Sequence, residues 1–210
     1  MSPQLILLGA PGSGKGTQAK RLVDNHGYTH VSTGDLLRSE IKKGSDLGNK
    51  VQSIMDSGNL VDDHTVLELL NANCSLSENQ YIFDGYPRNF EQAKALDSDV
   101  LKGSTSKAVY FDIDLEILIA RIVNRRVAPG SGEIYNLLTK PPRKPGFCDV
   151  SGEELVHRKD DNEDTVRNRM EVFKDNIDPV LEYYESADRL IRVDASLSSD
   201  EVYTQLLKII

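Results

Sequence analysis

The chain alternates between two hydrophobic rhythms. Leu5-Ile6-Leu7-Leu8 is too short an apolar run for a helix and stops at Gly9, so it predicts a buried strand. Ala19, Leu22 and Val23 then recur on one helical face from about Gly14 to Asn25, ended by His26-Gly27. A short strand is expected around His30 to Ser32. After it come three helices: one carrying Leu36, Leu37 and Ile41, which Asp35 caps and which stops near Lys43-Gly44; one over about 46–57, closed by Gly58; and one over about 63–73. Tyr81-Ile82-Phe83 and Ala108 to Phe111 read as further buried strands, with a helix from about Asn89 to Asp97 between them. Leu115, Leu118, Ile119, Ile122 and Val123 form a helical stripe expected to run to Arg126. A long helix spans about 162–186, bent or broken at Pro179. Leu190 to Val193 makes the last strand, and Ser198-Ser199-Asp200-Glu201 supplies a capping box for a final helix. Strands alternating with helices predict an α/β fold, a five-stranded parallel sheet with helices on both faces, whose ligands bind at the carboxyl ends of the strands.

Two stretches interrupt this rhythm. Residues 32–61 put two small helices between a strand and the helix expected to follow it. Residues 127–159 hold Pro129, Pro141, Pro142 and Pro145 with little helical period, and a segment of that length inside a compact domain is usually functional or disordered. We find no linker between independent domains, so residues 1–210 read as one domain with insertions at 32–61 and 124–161.

Composition narrows the function. The 210 residues are 39% hydrophobic and 28% charged, an ordinary balance for a globular protein, and the net charge of −8 offers no bulk positive field to a nucleic acid or an anionic membrane. The amino-terminal residues lack the basic and apolar regions of a secretory signal, and no apolar run approaches a membrane span; a cytoplasmic location is expected, with Cys74 and Cys148 as free thiols. Any phosphate ligand is therefore held by a few placed cations.

Those cations begin at Gly9-Ala10-Pro11-Gly12-Ser13-Gly14-Lys15-Gly16-Thr17. A strand runs into a glycine-rich turn, a lysine and a helix, the layout of a phosphate-binding loop: backbone N–H groups point at the anion, glycines let the chain approach it, and the helix adds its positive end. The alternative is a glycine-rich turn with a solvent lysine. Gly16 stands where the general motif has Ser or Thr, and the Thr17 hydroxyl comes one residue late.

This loop, Ser32-Thr33-Gly34-Asp35-Leu36-Leu37-Arg38, Asp84-Gly85-Tyr86-Pro87-Arg88 with Gln92, Arg125-Arg126 and Arg158-Lys159-Asp160-Asp161 together resemble the adenylate kinases in their long-lid form, along essentially the whole chain. The resemblance implies a fold of the P-loop NTPase type. It implies magnesium-dependent transfer of a phosphoryl group from ATP to AMP, giving two ADP, by a monomer. Residues 32–61 would be the nucleoside-monophosphate-binding insertion and 124–161 the lid. It places Gly12, Ser13, Gly14, Lys15, Gly16, Thr17, Arg121, Arg125, Ile134, Tyr135 and Leu197 around ATP. Around AMP it places Thr33, Arg38, Asn59, Leu60, Val61, Gly85, Tyr86, Pro87, Arg88, Gln92, Arg158 and Arg169. Lys15, Arg88, Arg125, Arg158, Arg169 and Asp84 would serve the transfer itself. Asp84 would hold magnesium through water, or else simply cap a turn.

The residues support such chemistry independently. A phosphate acceptor is already anionic near neutral pH and needs no general base, so the scattered His26, His30, His64 and His157 read as surface or core residues. Arginine binds phosphate oxygens with a planar fork, which suits the set above. A zinc-bearing lid needs four ligands, and the aligned positions Ala128, Ser131, Cys148 and Ser151 offer one thiol, so no zinc is expected. GTP:AMP phosphotransfer or another nucleoside monophosphate kinase is the alternative, and a nucleotide-dependent switch a distant one. Against the switch, Asn49-Lys50-Val51-Gln52 fails the guanine-reading N-K-x-D pattern at its last position.

Overall fold

A computed structural model describes residues 2–76 and 79–210. In chain order its elements are β1 (Gln4–Leu8), α1 (Lys15–His26), β2 (Thr29–Ser32), α2 (Thr33–Lys43), α3 (Asp46–Ser57), α4 (Asp63–Asn73), β3 (Tyr81–Asp84) and α5 (Phe90–Ala95), which continues as a π-helical turn over Leu96–Leu101. There follow β4 (Ser106–Asp112), α6 (Leu115–Val123), β5 (Arg125–Val127), β6 (Ile134–Asn136), a 3₁₀ turn over Lys159–Asp161, α7 (Glu163–Ser186), β7 (Leu190–Asp194) and α8 (Ser199–Leu206).

Five strands form a parallel sheet in the order β2-β3-β1-β4-β7. From β1 the chain moves first to one side, building β3 and β2, and then to the other, building β4 and β7. The carboxyl end of β1 is therefore the switch point at which an open α/β sheet leaves a crevice. Both faces are covered, as the continuous apolar strands require. Ile6, Leu8, Val31 and Phe83 pack beneath α2, α4, α5 and α7, whereas Leu5, Leu7, Ile82, Val109 and Phe111 pack beneath α1 and α8. The register sets Leu7 beside Asp84 and Ser32 beside Asp84, so the ends of β1, β2 and β3 open onto one crevice.

Four expectations change. Ser32, not Asp35, caps α2: its hydroxyl accepts from the Asp35 N–H at 3.3 Å, which frees the Asp35 carboxylate for other partners. The helix expected to reach Arg126 stops at Val123, because Arg125–Val127 pairs antiparallel with Ile134–Asn136 and thereby becomes a strand. Pro179 does not break α7; it lies on the exposed side, where the carbonyl it leaves unbonded meets water, while Ile177, Val180, Leu181 and Tyr184 anchor the opposite side. The helix expected to end at Asp97 ends at Ala95, and the π turn carries the chain on to Leu101.

Segment 124–161 is ordered around its own small core of Ala128, Tyr135, Cys148 and Leu155. Glu153 stitches it together. Its carboxylate accepts from the Gly130 N–H at 2.6 Å, the Ser131 N–H at 2.9 Å and the Ser151 hydroxyl at 2.7 Å, and these bonds hold its pKa down at about 2. Tyr135 hydroxyl accepts from the Asp149 N–H at 2.7 Å and lies 3.5 Å from Cys148 Sγ.

Candidate active site

The loop after β1 turns tightly before α1. Gly12 has φ +79°, and a Cβ there would lie 2.6 Å from Cγ1 of Ile122, so only glycine fits the turn over α6. Gly14, at φ 99°, is the residue before α1, and no side chain caps that helix, which leaves its amino end open to an anion. Lys15 folds back along the loop, donating to Gly9 O at 2.7 Å, Ala10 O at 2.9 Å and Ser13 Oγ at 3.3 Å. Its pKa falls to about 8: burial is the main cause, Arg88, Arg169 and Arg125 push the same way, and the Asp84 charge opposes them. Gly16 and Thr17 follow Lys15 in the first turn of α1. The position of a Cβ on Gly16 lies 3.4 Å from Cδ1 of Ile134 and 3.6 Å from Oδ2 of Asp84. Ile134 of the 124–161 segment and Asp84 at the end of β3 therefore meet over the loop, and Lys20 of α1 pairs with Glu133 at 3.4 Å.

Asp84 is braced by a residue that the sequence reading left outside the site. Nε2 of His30, on β2, lies 3.2 Å from Asp84 Oδ2. Burial raises the Asp84 pKa, but the hydrogen bond from His30 and the charge of Lys15 outweigh it and hold the carboxyl below its usual range.

The arginines converge from β5, α7, α2 and the stretches before the 3₁₀ turn and after β3, and all of them but Arg88 pair with a carboxylate. Arg125 of β5 donates to both oxygens of Asp161 at 2.8 and 2.5 Å. Arg169 of α7 lies 3.0 Å from Asp160 and 3.6 Å from Asp161. Arg158 reaches Asp35 at 3.2 Å, and Arg38 reaches Asp35 at 2.7 Å and Asp160 at 3.8 Å. Arg88 donates from Nε to Gly85 O at 2.8 Å. The side chains of Arg125, Arg158 and Arg169 are only 16%, 18% and 19% exposed, so they form a shielded positive lining and not a solvated surface. Burial, reinforced by neighbouring arginines, lowers Arg158 and Arg169 to about 10. For Asp160, burial pulls upward but the surrounding arginines keep the carboxyl low.

A second cluster lies at the start of α2 and α5. Thr33 donates its hydroxyl to Gly85 O at 2.8 Å; Gly85 has φ +81°, and a Cβ there would stand 2.9 Å from Thr33 Oγ1. Gln92, 2% exposed, accepts from the Arg88 N–H at 2.7 Å. Asn59 bonds Asn168 of α7 at 3.1 Å, with Leu60 beside it. Val61, Tyr86 and Pro87 are buried, and the side chains of Val61 and Tyr86 belong to the core, so only their backbone is available to a ligand. The Tyr135 ring is likewise buried inside its own segment. On the far side of the loop, Arg121 approaches Ala195 O at 3.4 Å and accepts from Asn136 on its carbonyl, with Leu197 exposed nearby in sequence.

The sequence reading missed Asp35, Asp160 and Asp161 as partners of the arginines and His30 as the partner of Asp84. Their signal is weak because each acid or imidazole looks locally like a solvated or capping residue.

Such a lining can hold several phosphate oxygens out of water, and comparison with known proteins agrees. The family model for adenylate kinase matches residues 7–189. The adenylate kinase of Thermosipho melanesiensis is 44% identical over 98% of each chain. That of Petrotoga mobilis is 40% identical over 99% of this chain and 97% of its own, and that of Thermotoga petrophila is 42% identical over 100% and 98%. At that identity over that length, the chain belongs to the adenylate kinase family, and its chemistry is phosphoryl transfer.

Proposed function

We propose that the protein transfers the terminal phosphoryl group of ATP to AMP, reversibly, forming two ADP. The observation that carries this reading is the set of half-buried Lys15, Arg125, Arg158 and Arg169, with the more exposed Arg88 beside them, around the carboxyl ends of β1 and β3. Phosphoryl transfer asks for positioning and for positive charge along the path of the moving group, and little else. Lys15 and the open end of α1 would take the donor phosphates, Arg88 and Arg38 the acceptor phosphate, and Arg125, Arg158 and Arg169 the group between them. The acceptor oxygen arrives anionic, so the His30–Asp84 pair is not asked to remove a proton; His30 orients Asp84.

Asp84 fits a magnesium ion carried by the nucleotide: it is a hard carboxylate, kept ionised by His30 and Lys15, facing the space that Gly16 leaves clear. Bound there with the nucleotide, magnesium supplies charge neutralisation to phosphate oxygens. We read residues 124–161 as the lid and 32–61 as the acceptor-binding insertion. Arg158 with Asp35 and Lys159 with Asp56 join the two, and Glu133 with Lys20 joins the first to α1, contacts that would keep water from the phosphoryl group. Glu153 and the bonds around Cys148 would take the place of zinc in holding the lid.

Thr33 supports AMP as acceptor. Its proton is committed to Gly85 O, so Oγ1 is left as an acceptor and suits an amino group on the base. The donor base would lie between Arg121, Ile134 and Leu197. We further read the protein as a cytoplasmic monomer without nucleic-acid or membrane partners; its charge is −8, and no helix among the described residues is long and apolar enough to cross a membrane. The test is a matrix of MgATP and MgGTP against AMP, GMP, CMP and UMP. ADP should form fastest from MgATP with AMP, and its absence would refute the reading.

A further inference from the structure

The amide of Gln92 can sit in two orientations of nearly the same shape, which exchange its donor and acceptor ends. Here both ends are clamped by groups that cannot exchange roles. The backbone N–H of Arg88 donates to Oε1 at 2.7 Å, and the carboxylate of Asp63 accepts from Nε2 at 2.6 Å. Turning the amide over would set an oxygen against a carboxylate and an NH₂ against an N–H. We propose that Asp63 is a positioning residue that locks Gln92 in one orientation and thereby makes the acceptor site read adenine in preference to guanine. The inference rests on the reading above that Gln92 lies at the acceptor base.

Asp63 is free for this task because another residue caps its helix. Asp62 is the N-cap of α4, accepting from the Thr65 N–H at 2.9 Å and from the Thr65 hydroxyl at 2.8 Å. Asp63 turns instead to the start of α5. There it also accepts from Asn89 Nδ2, at 3.1 and 3.3 Å, while Asn89 Oδ1 caps α5 by accepting from the Gln92 N–H at 2.8 Å. One carboxylate thus fixes both amides at the amino end of α5.

The lock has a chemical consequence. An amide has two N–H donors and two acceptor sites; with one of each used, Gln92 keeps one donor and one acceptor in fixed places. Adenine offers an amino donor beside a ring-nitrogen acceptor, which matches. Guanine carries a carbonyl oxygen where adenine has the amino group, and that oxygen would face the fixed acceptor end of Gln92 and the acceptor-only Thr33 Oγ1. A free amide could turn over to suit guanine. The clamped one resists.

The test is a double-mutant cycle of Asp63→Ala and Gln92→Ala, with kcat and KM measured for AMP and GMP and KM measured for ATP. Asp63→Ala should raise KM for AMP by about tenfold, the size of one well-placed coupling, and lower the AMP-over-GMP preference to match, with KM for ATP unchanged. Asp63→Asn, which keeps an acceptor oxygen, should recover most of the preference. In the Gln92→Ala background, Asp63→Ala should add nothing. Equal losses for AMP and GMP, or a penalty that persists without Gln92, would overturn the role of Asp63 alone. Gln92→Ala with an unchanged KM for AMP would overturn the placement of the base itself. If Asp63→Ala does not fold, Asp63→Ser, which also falls short of Nε2 but keeps a polar first turn, takes its place in the cycle.

Discussion

Lys15 makes nucleotide binding depend on pH in a predictable direction. In the ligand-free protein its pKa is about 8, against an ordinary 10.5, chiefly because burial disfavours its charge and the nearby arginines add to that. Phosphate oxygens beside the ammonium favour the charged form and move the value back up. Lys15 must therefore be protonated to bind well, and binding takes up a proton wherever the free protein has lost it. From a pKa of about 8, roughly one molecule in eleven lacks the proton at pH 7 and about ten in eleven lack it at pH 9, so affinity should fall about tenfold between those values. At pH 8 binding should take up about half a proton per nucleotide. Calorimetric titration with a non-hydrolysable ATP analogue, in buffers of different ionisation enthalpy, reads both quantities. Lys15→Arg binds with altered geometry but carries a group that does not titrate in this range, so its profile should be flat. An unchanged Kd from pH 7 to 9 with no proton uptake would refute the reasoning, as would a Lys15→Arg variant that keeps the slope. Without nucleotide the sign reverses for folding: between about 8 and 10.5 the unfolded chain holds the proton more tightly, and so this group's contribution to stability rises with pH.

Four other substitutions probe different parts of the protein. Arg88→Ala and Lys15→Ala should each lower turnover by roughly 10²-fold or more, the cost of losing a placed electrostatic donor, and near-normal rates in a folded variant would mean that the site is elsewhere. Asp161, fully buried, holds Arg125 in a fork and approaches Arg169; Asp161→Ala should cost about 3–5 kcal/mol in denaturant unfolding because it strands buried cations, with part of the loss restored by bound ATP. Glu153→Ala should speed amide exchange at Gly130 and Ser131 while leaving β1 and β3 protected. In the parent protein this carboxylate's contribution should be complete above its ordinary pKa and disappear as pH falls towards about 2.

The sheet was legible because its strands are runs such as Leu5 to Leu8, whose burial on both faces shows in composition alone. Helix ends at Gly27, Gly44 and Gly58 were legible for a similar local reason: each is a left-handed residue closing a helical stripe. Arg125 and Arg126 were misplaced because an apolar stripe can justify a helix up to Val123 but says nothing of the partner, Ile134–Asn136, that draws the next residues into a strand. The 127–159 stretch hid its order in the same way. Glu153 binds Gly130 and Ser131 from more than 20 residues away, and no spacing rule reports such a bond.

The charges of the site divide along the same line. A lysine after a glycine-rich turn declares itself, since the loop geometry demands glycine and the phosphate demands a cation. What sets the proton affinity of that lysine does not declare itself. His30 braces Asp84 across 54 residues, Asp161 holds Arg125 across 36, and Asp35 meets Arg158 across 123. The first two bear on Lys15, one through the negative charge of Asp84 and the other through the positive charge of Arg125. Arg125 and Arg169, turned towards Asp161 and Asp160, press on Lys15 less than free arginines would, yet together with burial they still overcome Asp84. Removing Asp161 should therefore lower the Lys15 pKa further and move the onset of weakened nucleotide binding below pH 8. Titration of Asp161→Ala by the same calorimetry would show this, and an unmoved profile would mean that Asp161 does not offset the charge that Arg125 turns towards Lys15.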